Sequence, residues 1–153
     1  MYIPKYFTYA EVIHSNTAVA NNLPNNPNSF KDVLRLSLLC KYLDKVRETL
    51  GKPIVVNCGF RSKKVNEFVG GSPTSLHLYG LAADVHCSLP PESLRAVACS
   101  VLDVPQLVPT WSKTSPSWCR AFENDKFEII EYHGFVHIGI QFKYAEKLLA
   151  HGL

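Results

Sequence analysis

Apolar residues between positions 30 and 50 recur at three- and four-residue spacing and predict one long helix. The recurring residues are Val33, Leu36, Cys40, Leu43, Val46 and Leu50. Ser29 is placed to cap the first turn of this helix, and Gly51 and Pro53 are placed to end it. An apolar stripe of this kind packs against a hydrophobic core, so we predict a structural role for this helix.

Four runs of β-branched and apolar residues predict strands. They are 53–58, 81–87, 127–132 and 135–140. His133 and Gly134 separate the last two runs and predict a hairpin turn. A short helix is predicted near Tyr9, where Thr8 and Glu11 form a capping-box pattern. Further helices are predicted at 63–69, 92–102 and 143–151.

The order of these elements along the chain is irregular, which favours an α+β fold with a small antiparallel sheet packed with helices. A chain of 153 residues suits one domain and is long enough to bury a core without disulfides. We therefore predict a single domain over 1–153. Its N-terminal segment, 1–29, ends in an Asn- and Pro-rich loop.

Composition excludes several classes of protein. Hydrophobic residues make up 46% and charged residues 19%, so a disordered chain is excluded. A net charge of +3 gives little support to nucleic-acid binding. The sequence lacks an apolar run long enough for a transmembrane helix and a signal-like N-terminus, so we expect a protein made in the cytoplasm without a signal peptide.

The five cysteines form no C-x-x-C pair, which argues against a zinc ribbon or a thioredoxin-like site. Their neighbours are mostly apolar, so we expect buried, reduced thiols, with Cys119 beside Trp118 and Arg120 as the exception.

The segment 75–84 carries the most informative chemistry. It places His77 seven residues before Asp84, with Gly80 allowing the backbone to turn between them. His137, in a later predicted strand, offers a third ligand. Two histidines and one carboxylate suit Zn²⁺ with one position left open for water. Spacing alone leaves a surface hydrogen-bond network as the alternative.

Strand alternation supports convergence of these residues. On the predicted strands, Asp84 shares a face with His86, and His137 shares a face with Gly139. Gly139 leaves space beside the histidine, while His86 is a competing ligand on the side of Asp84.

The pattern Ser75-x-His77-x-x-Gly80-x-Ala82-x-Asp84 resembles the signature of the zinc D-alanyl-D-alanine carboxypeptidase family. That family includes vancomycin-resistance dipeptidases and phage endolysin peptidases, and it shares its fold with the Hedgehog signalling domain. Other segments resemble the family in the same order, and the resemblance covers roughly residues 8–142. These segments are 53–62, 70–75 and 135–137.

The resemblance implies a Hedgehog/DD-peptidase-like fold and a role for several residues. It implies that His77, Asp84 and His137 bind zinc. Arg61 matches the arginine that steadies the substrate carbonyl and its developing oxyanion, where a fixed cation is most effective. Ser75 matches a serine that contacts substrate. The alternatives are a solvated turn residue for Arg61 and a loop hydroxyl for Ser75.

The general base departs from the pattern. Many family members carry Glu three residues before the last histidine, where this chain has Gly134. A two-residue turn would place Ile130 opposite His137, whereas a longer loop or a bulge would bring Glu131 there. We predict Glu131 as the base, with Glu128 as the alternative. His133 is a second-choice base or only a turn residue.

The implied function is zinc-dependent hydrolysis of peptidoglycan stem peptides or cross-links that contain D-alanine, by a carboxypeptidase or an endopeptidase. We expect a monomer that acts on the cell wall, encoded by a phage or a bacterium. The main alternative is an inactive zinc-containing binding module of the same fold. A third interpretation is a structural or nucleic-acid-binding phage protein.

Trp111 and Trp118 are candidates to line the substrate cleft or to anchor a long loop.

Overall fold

The structure, a computed structural model, describes residues 1–106 and 119–152 and confirms the α+β fold. The helices are α1 (Tyr9–Ile13), α2 (Asn16–Ala20), α3 (Phe30–Leu50), α4 (Lys63–Phe68), α5 (Pro91–Val101) and α6 (Phe142–Ala150). The strands are β1 (Val55–Cys58), β2 (Ala82–His86), β3 (Arg120–Glu123), β4 (Phe127–Glu131) and β5 (Val136–Ile140). Trp111, Trp118 and most of the Pro-rich segment around them lie outside the described residues.

The five strands form one antiparallel sheet in the order β1-β2-β5-β4-β3. The strand β5 therefore lies between β2 and β4, so its residues are flanked on both sides. Strand β3 and the short helix α2 are additional to the elements that the sequence predicts. Within β1, the register shifts between Val56 and Cys58, and Cys58 then pairs with Asp84 of β2.

One face of the sheet packs on the hydrophobic core together with α3 and α5. Its apolar side chains include Val85, Ile129 and Ile138, which are all fully buried. Since strand residues alternate between faces, the residues between them point away from this core. The polar residues Asp84, Glu128 and His137 thus share the opposite face, which carries the candidate site.

The helix termini follow the predicted chemistry. The Ser29 side chain accepts a hydrogen bond from the Asp32 backbone N–H at 3.2 Å at the start of α3. Gly51 ends the helix in the left-handed conformation with φ of +72°, which glycine adopts without steric cost. Thr8 and Glu11 form both hydrogen bonds of the predicted capping box at α1.

The five cysteines are free thiols. Cys119 is completely buried, so the prediction that it is the exception among them was wrong; Cys58 and Cys87 are the two that are only partly buried. It lies directly before β3, a strand that the sequence pattern did not indicate. Over the described residues, no helix is both long and apolar enough to cross a membrane.

Candidate metal centre

His77 is held in a short 3₁₀ turn, Leu76–Tyr79, that precedes β2. Ser75 caps the turn, and Gly80 ends it in the left-handed conformation. The His77 side chain is buried, and its Nδ1 lies 2.7 Å from the backbone oxygen of Gly59. A carbonyl can only accept, so Nδ1 carries the hydrogen and Nε2 is directed at Asp84, 3.3 Å away.

Asp84 and His137 face each other across the β2–β5 pair. Their Cα atoms are register partners, and His137 Nδ1 lies 3.0 Å from Asp84 Oδ1. On the other side of the ring, His137 Nε2 lies 2.8 Å from Oε1 of Glu128 in β4. A carboxylate accepts from Nε2–H here, which leaves Nδ1 directed at Asp84.

The donor atoms of His77, Asp84 and His137 converge. One donor atom from each residue lies within 4.8 Å of the other two. Ligands about 2.0–2.2 Å from a tetrahedral zinc ion stand about 3.3–3.6 Å apart. The two histidine nitrogens lie at similar distances from Asp84 Oδ1, 3.3 Å for His77 and 3.0 Å for His137. Two imidazoles and one carboxylate also match the ligand set of catalytic zinc sites. The residues present therefore fit a zinc ion.

The electrostatics of the cluster favour a cation at its centre. Burial lowers the pKa of His77, but hydrogen bonds with Asp84 and Cys58 outweigh it and raise that pKa to about 10. Burial raises the pKa of Asp84, yet its hydrogen bonds with the two histidines hold that pKa far below its usual range. The ionised carboxylate is thus stabilised by positive charge, which a metal ion supplies as well as protons do.

His137 and Glu128 are shifted by the same kind of contact. Burial lowers the pKa of His137, but its bonds with Asp84 and Glu128 raise it overall. Burial raises the pKa of Glu128, but its bond with His137 lowers it overall. Glu128 is therefore an ionised, partly buried carboxylate bound to a metal-ligand candidate.

Gly139 leaves the predicted space beside His137. A Cβ atom at this position would lie 3.2 Å from His137 Nε2, 3.1 Å from Glu128 Cγ and 3.0 Å from Leu76 Cδ1. These separations are tighter than ordinary van der Waals contacts, so a side chain here would press on both members of the His137–Glu128 pair. The prediction that Gly139 makes room for the histidine is confirmed.

The structure does not bring Glu131 to this cluster. The two-residue turn pairs Ile130 with His137, so Glu131 lies on the opposite face of the sheet, paired with Val136. There its Oε1 lies 3.0 Å from Nε of Arg95, on α5. The longer loop or bulge that would have placed Glu131 opposite His137 is absent at this hairpin. The predicted position of the base was therefore wrong, and the carboxylate at the cluster is that of Glu128.

Arg61 and Ser75 lie next to the cluster. The backbone N–H of Arg61 donates to the His77 carbonyl oxygen at 3.0 Å, and Arg61 Nη2 lies 3.8 Å from Cys58 Sγ. Cys58 lies close enough to the His77 side chain for each to shift the pKa of the other, so the guanidinium lies close to the candidate metal ligands. The Ser75 hydroxyl accepts from the His77 N–H at 3.3 Å and so helps to shape the turn.

Two supporting groups were not identified as such from the sequence. The Gly59 backbone carbonyl leaves no trace in residue type. Glu128 could have been found, because it precedes His137 by nine residues across a two-residue turn, which puts both side chains on one face. His86, the competing ligand, bonds instead to Asn57, with Nδ1 2.6 Å from Oδ1.

Comparison with known proteins places the chain in a family. A sequence model described as peptidase M15 matches residues 5–104, more than half of the chain. The chain belongs to the peptidase M15 family. The matched part of this family member contains Arg61, Ser75, His77 and Asp84, and it ends before the hairpin that supplies Glu128 and His137.

A curated relative adds a more specific similarity. This M15 chain is 37% identical over 83 residues to the zinc D-Ala-D-Ala carboxypeptidase of Streptomyces albus G. The aligned part is 54% of this chain and 31% of the relative, so the chain spans about a third of the length of that protein.

Proposed function

We propose that this protein is a zinc-dependent peptidase that hydrolyses peptides containing D-alanine, such as peptidoglycan stem peptides or cross-links. The observation that carries the proposal is the convergence of His77, Asp84 and His137 on one buried point, with Arg61 beside it. Membership of the peptidase M15 family supports the reaction type, and the name of the Streptomyces relative supports the substrate. A cell-wall lytic enzyme of bacterial or phage origin fits this substrate.

The proposed ligands are His77, Asp84 and His137. When bound, zinc supplies Lewis-acid chemistry: it polarises a peptide carbonyl and lowers the pKa of water. The three ligands would hold the ion and would leave a fourth position for solvent or substrate. Arg61 provides a fixed positive charge at the edge of the cluster, where it can stabilise an oxyanion as it develops. Ser75 orders the turn that carries His77 and is a candidate substrate contact.

We assign Glu128 to the orientation of His137. Its carboxylate keeps the hydrogen on Nε2 and so directs Nδ1 at the metal position. Glu128 also replaces Glu131 as the candidate proton acceptor, because it is the carboxylate that contacts the ligand set without belonging to it. Its lowered pKa makes it a weaker base than an ordinary glutamate, so the orienting role is the one that the geometry favours.

A second function has specific support: a zinc-containing binding module without turnover. Gly134 occupies the position where many relatives carry the base, and Glu131 is engaged by Arg95 on the far face. Among residues 1–106 and 119–152, Glu128 is thus the non-ligand carboxylate that contacts the cluster, and its Oε1 is bonded to His137. A binding module would retain zinc and bind peptide but would not release D-alanine.

The test combines metal analysis with a peptide assay. We expect about one zinc per chain in the purified protein, and release of D-alanine from a stem peptide ending in D-Ala-D-Ala or cleavage of purified peptidoglycan. Asp84→Ala should lose zinc and activity together, whereas Glu131→Gln should keep both. Zinc with peptide binding and no product would favour the binding module, and a wild-type protein that holds no zinc would contradict both functions.

A further inference from the structure

Arg61 differs from two buried arginines of this chain in the charge of its partners. Arg35 pairs with Glu146 at 2.6 Å, and Arg95 pairs with Glu131 at 3.0 Å. Arg61 forms no ion pair with any carboxylate of residues 1–106 and 119–152. The closer of its two side-chain partners is neutral, because it is the side-chain amide of a buried asparagine.

That asparagine is Asn66, on α4. Its Oδ1 accepts from Arg61 Nη1 at 2.9 Å, and its Nδ2 donates to the backbone oxygen of Ser72 at 3.0 Å. The residue is only 3% exposed, and its backbone oxygen accepts from the Gly71 N–H at 2.8 Å. Because both ends of the amide are engaged, its orientation is fixed, and it presents an oxygen to the guanidinium.

The chain leaves room for this contact at Gly71. A Cβ atom there would lie 2.1 Å from Asn66 Oδ1 and 2.8 Å from Arg61 Nη1. Any side chain at this position would displace one of the two groups. The Arg61–Asn66 contact is therefore enclosed by the backbone of the segment that leads to the His77 turn.

An asparagine at this point has a distinct electrostatic consequence. A carboxylate would bind the guanidinium more strongly, because hydrogen bonds between charged groups are roughly twice as strong as neutral ones. It would also cancel much of the positive field of Arg61. An amide of nearly the same shape holds the guanidinium in place and leaves its charge available to the cluster.

We propose that Asn66 is a positioning residue for Arg61, which fixes the guanidinium beside the metal centre without neutralising its charge. This inference rests on the proposed function, because it assigns Arg61 the task of stabilising an oxyanion. It goes beyond that function in naming the neutral partner that makes Arg61 effective.

The first test measures the Arg61 side chain directly and needs no turnover. We would record ¹⁵N relaxation of Arg61 Nε in the zinc-loaded protein and in Asn66→Ala. The restricted motion of the guanidinium should be lost in the variant. Ser62→Ala is the matched control, because it removes the cap of the same helix, a bond of 3.2 Å to the Val65 N–H, and leaves the Asn66 amide in place.

The second test uses Asn66→Asp, which keeps the shape of the side chain and adds a negative charge. We expect kcat to fall by about 10- to 100-fold with a smaller change in KM, as when an oxyanion-stabilising group is weakened. Zinc content should remain at the wild-type level. In an Arg61→Ala background the same substitution should have no further effect, because its action runs through Arg61.

The outcomes separate this inference from the proposed function. Equal Arg61 mobility in wild type and Asn66→Ala, or a folded, zinc-loaded Asn66→Asp with wild-type kcat, would overturn the role of Asn66. If the wild type binds zinc but hydrolyses no peptide, the peptidase proposal fails, and the relaxation measurement still decides whether Asn66 positions Arg61. If Asn66→Asp does not fold, the comparison of Asn66→Ala with Ser62→Ala decides the question.

Discussion

The two histidines of the candidate metal centre present different ring nitrogens to Asp84, Nε2 from His77 and Nδ1 from His137, and they are supported in different ways. His77 stands on a 3₁₀ turn, and its other nitrogen bonds to the neutral backbone oxygen of Gly59. His137 stands on a central strand, and its other nitrogen bonds to the carboxylate of Glu128. The first support is part of the main chain, and the second depends on one side chain.

This difference has consequences for metal binding. A backbone carbonyl orients an imidazole without adding charge, whereas a carboxylate also raises the basicity of the ring and its attraction for a cation. It also follows that zinc binding by His137 can be weakened by a single substitution, at Glu128, that leaves the histidine itself in place. The hydrogen bond that orients the His77 ring, in contrast, comes from the main chain and changes only if the backbone moves.

The largest effect should come from removing the ligands themselves. His77→Ala and His137→Ala should each weaken zinc binding by more than about 100-fold, since even loss of a supporting group costs about 10- to 100-fold. Affinity would be measured by competition with a chromogenic chelator. If either variant kept wild-type zinc affinity, that histidine would not be a ligand.

The support of His137 can be removed without touching the ring. Glu128→Ala should weaken zinc binding by about 10- to 100-fold, because the orientation of the imidazole and its added basicity are lost. Glu128→Gln should lose less, because its amide oxygen still accepts from Nε2–H. Glu131→Gln is the matched control on the other face of β4 and should leave zinc affinity unchanged. A larger loss of affinity in Glu131→Gln than in Glu128→Ala would reverse our assignment.

The support of His77 can be tested through glycine. In Gly59→Ala the new Cβ would lie 2.2 Å from the backbone oxygen of Val12, so the main chain must shift and carry the His77 acceptor with it. We expect a loss of about 1–3 kcal/mol in the free energy of unfolding, with weaker zinc binding. Gly139→Ala meets side-chain atoms at 3.0 Å or more and should cost less. Thermal unfolding of both variants, with and without zinc, would show whether the order is as stated.

The smallest expected effect is a pH dependence of zinc affinity that distinguishes His77 from His137. The raised pKa of His77, about 10 without metal, means that zinc must displace a proton at neutral pH. Each displaced proton makes affinity rise up to about tenfold per pH unit, so binding should tighten from pH 6 to pH 8. Because Glu128 helps to raise the pKa of His137, Glu128→Gln should make this rise less steep. Calorimetry in buffers of different ionisation enthalpy counts the protons; equal counts in both proteins would contradict this account.

Sequence patterns located most of the fold because local chemistry determines where its elements begin and end. Capping at Thr8 and Ser29, the stop at Gly51 and the two-residue turn at His133 and Gly134 are all readable in the chain. Strand β3 was missed, since its four residues carry no clear alternation of apolar and polar positions. The helix α2 was missed for a similar reason, because it is a single short helical turn beside an Asn-rich loop.

The site was predictable in its ligands and less so in its supports. His77 and Asp84 belong to one segment, and strand alternation links His137 to them. The choice between Glu128 and Glu131 depended on the number of residues in the β4–β5 turn. A single inserted residue there would exchange the two faces of the sheet relative to His137. The Asn66–Arg61 contact had no sequence signal, because it depends on how α4 folds back onto the turn before it.

The most direct test of the account is a crystal structure of the zinc-loaded protein with anomalous data at the zinc edge. We predict one strong peak within about 2.0–2.2 Å of His77 Nε2, Asp84 Oδ1 and His137 Nδ1. Glu128 should remain bonded to His137 Nε2, outside the ligand set. A zinc ion bound elsewhere, or held by His137 through Nε2 with Glu128 as a ligand, would contradict the assignment of the centre.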